Sequence, residues 1–340
     1  MNKVTMMKTM RQHSFMTQLK SLAVAFGIAM AFASCANDDL AQNGTTPTDD
    51  KGLTTFSTGD PTTRTTMDAD GTFYWEAGDK IYVKDDDGHW NVSSNAPTGK
   101  TASFKFKVPG KYTDHNSYDV YYPGKNGTND QVAISATQTQ TTPNTTTHFG
   151  VSGDCGMAEA SRVGTNQQFS FALNHKAAYL RFLPRTENVT LQDCYLTKVE
   201  VTSDDDIAAT YTLDKTTGKL IGTGTGKEII LTTQGSGSYA NGFPLTNNAT
   251  SAATNGDYMV IKPGTHTLRI RYWVKDVVTN VEGKVTKVLI SKTFDQNKYY
   301  DITANLFGSE PVYTKWDAQK PFWYNMDGML LILLIDGNLQ

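Results

Sequence analysis

The chain is 340 residues long, with Lys+Arg 31 against Asp+Glu 34 and a formal net charge of -3. That balance gives no reason to expect nucleic acid as a partner and no strong pull toward an anionic membrane. Hydrophobic residues make up 38% and charged residues 19%, which argues against both a disordered chain and a multi-span membrane protein.

In chain order, Lys3, Lys8, Arg11 and Lys20 form a basic leader, and residues 22–32 are apolar. The apolar run is shorter than the ~20 residues of a spanning helix and suits the h-region of a signal peptide. Ala33-Ser34-Cys35 follows it. Two small residues before a cysteine resemble a lipobox, so residues 1–34 are expected to be removed and Cys35 to be lipidated. A lipid there would hold the chain to a membrane at ~0.8 kcal/mol per buried CH₂. Ala36, Asn37, Asp38 and Asp39 come next; acidic residues at that point resemble the surface-export signal of Bacteroidetes lipoproteins. Residues 35–55 are rich in Thr, Asp, Gly and Pro and read as a flexible tether.

From there the pattern is β. Phe73-Tyr74-Trp75 leads to Gly78-Asp79, Lys80-Ile81-Tyr82-Val83-Lys84 alternates, and Phe104, Phe106 and Val108 share one face opposite Lys105 and Lys107. Residues 118–122 end at Pro123-Gly124, and a loop is expected around 150–164. Further strands are expected at 169–173, at 178–183 ending before Pro184, and at 196–201, 209–213, 228–232, 258–261, 267–274 and 285–294. Period-two alternation between turn residues, with strands about 8–12 residues apart, is the mark of sandwiches and barrels. No long stretch carries a 3.6-residue period with caps, so helices should be few. We divide the body into sandwich domains at 56–160 and 161–310, followed by a tail at 311–340. In that tail, residues 329–335 are wholly apolar, enough for a strand that must find a partner.

Several residues bear on chemistry. Cys155 and Cys194 are compatible with a disulfide in an oxidising compartment. Asp85-Asp86-Asp87 and Asp204-Asp205-Asp206 offer the oxygen ligands that Ca²⁺ takes, but read better as solvated turns. Trp75, Phe73, Ile81 and Val83 read as core, Asp79 as a turn residue and His175 as a hydrogen-bonding strand end. No catalytic residue, metal site or cofactor is nominated: zinc spacing, a GxSxG elbow and a paired-carboxylate signal are all missing.

The ordered set resembles a known family. Thr63-Arg64-Thr65, then Trp75-Glu76-Ala77-Gly78-Asp79-Lys80-Ile81-Tyr82-Val83, is similar to the opening of Bacteroides fimbrillin-like lipoprotein pilins. Tyr122-Pro123, Phe171-Ala172-Leu173-Asn174-His175-Lys176, Ile261-Lys262-Pro263-Gly264, Tyr299-Tyr300-Asp301-Ile302 and Trp316-Asp317-Ala318 continue the likeness. The resemblance implies an all-β protein of two tandem transthyretin-like sandwiches and a non-enzymatic subunit of a surface pilus. It implies processing after Arg64, before Thr65, by a trypsin-like protease, loss of a first strand containing Leu53 and Phe56, and strand exchange with other pilin subunits. Residues 329–335 are the donated strand on this reading. The expected location is the outer membrane, through the lipid on Cys35, and the fimbrium. The alternative is a surface glycan-binding lipoprotein with Trp90, Trp273 or Trp323 as stacking platforms.

Overall fold

The computed structural model describes residues 52–58, 66–67, 73–247 and 249–306. The strands of the first part are β1 (Leu53–Thr58), β2 (Thr66–Met67), β3 (Phe73–Tyr74), β4 (Tyr82–Lys84), β5 (Trp90–Val92), β6 (Lys105–Pro109) and β7 (Ser117–Tyr122). Then come β8 (Gln131–Ala133), β9 (Thr137–Thr139), the single-turn helix α1 (Phe149–Ser152), β10 (Gly156–Arg162), β11 (Gln168–Phe171) and β12 (Asn174–His175). The later part holds β13 (Ala178–Thr186), β14 (Tyr195–Ser203), β15 (Thr210–Asp214), β16 (Lys219–Ile221), β17 (Glu228–Thr232), β18 (Phe243–Pro244) and β19 (Thr246–Asn247). It closes with helix α2 (Ala252–Asn255), β20 (Asp257–Ile261), β21 (Gly264–Asp276), β22 (Val281–Phe294) and β23 (Tyr299–Asn305). The protein is all-β, as its alternation demands. No helix among the described residues is long and apolar enough to cross a membrane.

The first sheet runs β5-β4-β7-β10-β11-β1-β6, with β12 also on β10. Its two ends meet. Ser94, just past β5, donates its N–H to Lys107 O of β6 at 2.7 Å, and Asn95 both donates to Lys105 O (2.9 Å) and accepts from Lys107 N (2.7 Å). The rolled sheet encloses Phe56, Trp75, Ile81, Val83, Phe106, Val108, Tyr118, Tyr122, Phe169 and Phe171, all buried. Trp75, Ile81 and Val83 are therefore core, as expected; the side chain of Phe73 lies outside the described residues.

The second core lies among three further sheets, ordered β22-β21-β14-β17-β9, β19-β13-β20 with β23 on β13, and β16-β15-β8. The chain does not pass from one core to the other at a single point. β8 pairs antiparallel with β15 and β9 parallel with β17, so residues 131–139 belong to the later sheets. Phe169 and Phe171 in turn fill the first core.

Three local expectations are corrected. The loop expected at 150–164 contains β10, which pairs with β7, β11 and β12. Its sequence, Gly-Met-Ala-Glu-Ala-Ser-Arg, has almost no β-branched or aromatic residue, so nothing local marks it as a strand. β13 does not stop before Pro184 but continues to Thr186. The Pro184 carbonyl accepts from Asn255 Nδ2 (2.8 Å) and Thr246 Oγ1 (3.3 Å) on one side of the strand. On that side the ladder with β20 stops at Phe182, opposite Asp257, and the ladder with β19 starts at Arg185, so the missing N–H of proline falls in the gap between them. β1 also takes up Leu53 to Thr55, the last residues of the expected tether.

Candidate functional site

β1 is the first strand of the described chain and lies inside a sheet rather than at its edge. It runs parallel to β11 and antiparallel to β6. Phe56 is opposite Phe106 on one neighbour and Phe169 on the other. Its ring stacks on Phe169 with centroids 5.0 Å apart and meets Tyr112 edge-on at 5.2 Å. Thr54 and Thr58 share its face and are buried beside it. Thr58 also fastens the strand end: its hydroxyl accepts from Phe104 N at 2.9 Å, and its own N–H donates to Phe104 O at 3.1 Å.

The strand is therefore held by one aromatic anchor and two backbone ladders. Of its three inward positions, two are threonines. A strand with Val, Leu or Ile there would bury more apolar surface, at about 0.8 kcal/mol for each added CH₂-sized group. Withdrawing β1 would bare the edges of β6 and β11 together with the rings of Phe106, Phe169 and Tyr112. That slot has main-chain donors and acceptors on both walls and an apolar floor, which is what an added strand needs.

Cys35, Arg64 and Thr65 all lie outside the described residues. Arg64 is six positions beyond Thr58, the end of β1. The aspartate runs are spent on local bonding. Asp85 accepts from the backbone of Asp87 and His89 and from Asn91 Nδ2. Asp86 accepts from the Tyr118 hydroxyl and from Thr113 and Asp114 N–H. Burial alone would raise the Asp86 carboxyl, but those hydrogen bonds outweigh it and bring the pKa down to about 2. Asp206 accepts from Lys262 Nζ (2.9 Å), Tyr211 OH (2.7 Å) and Gly224 N (3.1 Å).

The glycine-aspartate pair of the opening motif closes its turn through the side chain: Asp79 Oδ2 accepts from Glu76 N at 2.7 Å, and Oδ1 from Tyr122 OH at 3.0 Å. His175, the last residue of β12, bonds through Nδ1 to Asp154 Oδ1 at 2.9 Å. Tyr179 donates to the same oxygen at 2.5 Å. This buried node ties β10's entry, β12 and β13 together. Asp154 and Tyr179 stand 25 positions apart, so no local pattern in the sequence links them. Cys155 and Cys194 are both buried thiols, not joined to each other.

Trp90 and Trp273 are half-buried and each has ring contacts of its own. Trp90 packs edge-on to Tyr121 at 5.1 Å and carries Lys84 Nζ 4.6 Å from its ring. Trp273 carries Lys198 Nζ at 4.0 Å, and its Nε1 donates to Glu200 at 3.1 Å. Trp323 lies outside the described residues.

No protein-family model and no curated protein matches the chain. Among solved structures, it is similar to a candidate cell adhesion protein from Bacteroides ovatus at 14% identity. That match covers 74% of this chain and 93% of the other, with a TM-score of 0.43. A candidate cell adhesion protein from Bacteroides uniformis matches at 17% identity, over 75% and 93% of the two chains, with a TM-score of 0.40. A fimbrial protein from Bacteroides ovatus matches at 11% identity over 74% of this chain and 48% of that one, with a TM-score of 0.37.

Proposed function

We propose that the protein is a non-enzymatic structural or adhesive subunit of a bacterial surface fimbria, assembled by strand exchange from a lipid-anchored precursor. The observation that carries this reading is the seat of β1: a short, threonine-rich strand plugs an aromatic slot between β6 and β11, with Phe56 as its one large anchor. The basic leader, the apolar run and Cys35 support export and outer-membrane anchoring. Arg64, soon after the plug, supplies the bond for a trypsin-like protease. Cleavage uncouples β1 from the body, and a strand from a neighbouring copy takes its place.

Residues 36–340 are purified and followed by intact mass and size exclusion before and after limited trypsin. A cut confined to Arg64-Thr65, followed by oligomers, is the expected result. A body that stays monomeric after that cut would refute strand exchange, and resistance at Arg64 would refute the processing step.

A further inference from the structure

The second core is sealed on one side and thin on the other. On the sealed side, two buried glutamines of the β9 segment act as a substitute strand along β20. Gln138 donates Nε2 to Val260 O (2.7 Å) and accepts from Val260 N (2.9 Å). Gln140 donates to Gly256 O (2.8 Å) and accepts from Tyr258 N (2.8 Å). Every edge group there is answered.

The opposite side is bordered by β22 in one sheet and β23 in the other. Among the described residues, neither pairs with a strand on its outer edge. The inward residues of β21, namely Leu268, Ile270, Tyr272 and Val274, are 0–1% exposed. On β22, Val281, Val285 and Leu289 continue the same core but are only half-buried. Val288 and Ile290 are 51% and 81% exposed. A 14-residue edge strand with this much apolar surface is a template for another strand.

We propose that residues 329–335 of the same chain add to the outer edge of β22 and cover Val281, Val285 and Leu289. The described chain leaves at Leu306, one residue past the end of β23, which borders this very opening. The 22 residues from 307 to 328 span up to ~70 Å when extended, more than the ~45 Å length of β22. The seven apolar residues are bracketed by Asp327 and Asp336. β22 carries Lys284, Lys287 and Lys292, which repel a second copy of β22 but suit an acid-flanked strand. The β1 slot belongs to the other core, so this docking does not depend on strand exchange there. It makes the tail a cover for its own subunit, so on this reading residues 329–335 are not the strand donated to a neighbour's β1 slot.

The test is hydrogen–deuterium exchange on residues 36–340, compared with the same chain lacking 329–335 and with the Lys284→Glu, Lys287→Glu variant. The deletion should speed exchange of the β22 amides not bonded to β21 by about tenfold or more, leaving β1 and β9 unchanged. The charge-reversed variant, which keeps the tail, should show part of that acceleration. Equal protection of β22 with and without 329–335 would overturn the proposal. So would β22 protection that rises with protein concentration alongside oligomers in light scattering, because the covering strand would then come from a second copy.

Discussion

Phe56→Ala tests the seat of β1 most directly. The ring is fully buried, stacked on Phe169 and edge-on to Tyr112. Truncating a buried phenylalanine costs about 3–5 kcal/mol, the aromatic pairs included. With a urea m-value of about 3 kcal/mol/M, the midpoint of the first core should fall by about 1 M or more. Trp75 lies in the same core, 4.9 Å from Phe106, so tryptophan fluorescence reports the transition. Ser57→Ala is the control: Ser57 is half-buried on the other face of β1, and its loss should stay within about 0.5 kcal/mol. If Phe56→Ala shifts the midpoint no more than Ser57→Ala, β1 is not the plug described here. A second readout has the opposite sign. The substitution weakens the plug and leaves the slot intact, so after cleavage at Arg64 the Phe56→Ala protein should form oligomers faster than the parent.

Other perturbations address the second core and the buried polar groups. Gln138→Ala removes both surrogate bonds to Val260 and should cost about 2–4 kcal/mol in chemical denaturation, since a buried N–H and C=O lose their partners. Tyr179→Phe removes the 2.5 Å bond to Asp154 and should cost about 1–3 kcal/mol, seen as a lower Tm. Acid titration should show two opposite slopes. Burial tends to raise Asp206, but Lys262, Tyr211 and Gly224 bring its carboxyl down to about 2. Its stabilisation is present above the ordinary carboxylate pKa near ~4 and is lost as pH falls toward 2, and Asp206→Asn should flatten that limb. Asp257 is buried with neither oxygen partnered, so burial pushes its carboxyl well up. Its folded form holds a proton that the unfolded chain releases near pH ~4, so it costs stability as pH rises above that; Asp257→Asn should remove this decline in a series of melts.

Much of the fold was legible because most strands carry their own pattern. Phe106 and Val108 against Lys105 and Lys107, or the alternation through 267–274, announce both strand and buried face. Several other strands carry no such pattern. β8 is Gln-Val-Ala, β9 is Thr-Gln-Thr, and β10 is built from small residues. Each is a strand because of distant partners: β8 pairs with β15 about 80 positions later, and β9 with β17 more than 90 positions later. The candidate site divides the same way. Phe56 is visible as one aromatic in a threonine run, whereas the ring wall that receives it comes from β6, β11 and Tyr112, brought together only by the fold.

On the proposed strand-exchange reading, that division also explains why β1, of all the polar strands, is the one to be replaced. β8 and β9 lie in the middle of the chain, between β7 and β10, so withdrawing them would pull on strands paired in the first sheet. β10 is central and paired with three neighbours. β1 alone precedes every other described strand, so one cut at Arg64 separates it from the rest without breaking any other connection. Its hold on the slot is then the ladder to β6 and β11, the Thr58 contacts and Phe56. An incoming strand can rebuild the ladder completely, because main-chain pairing is blind to sequence. The outcome turns on the three inward positions: Thr58 is held by its bond to Phe104, whereas at Thr54 an aliphatic side chain would bury more apolar surface. Thr54→Val should therefore strengthen the plug and slow oligomer formation after cleavage, measured beside Phe56→Ala in the same assay. If Thr54→Val oligomerises as fast as the parent, release of β1 does not limit assembly, and the threonine at this position has no part in keeping the strand replaceable.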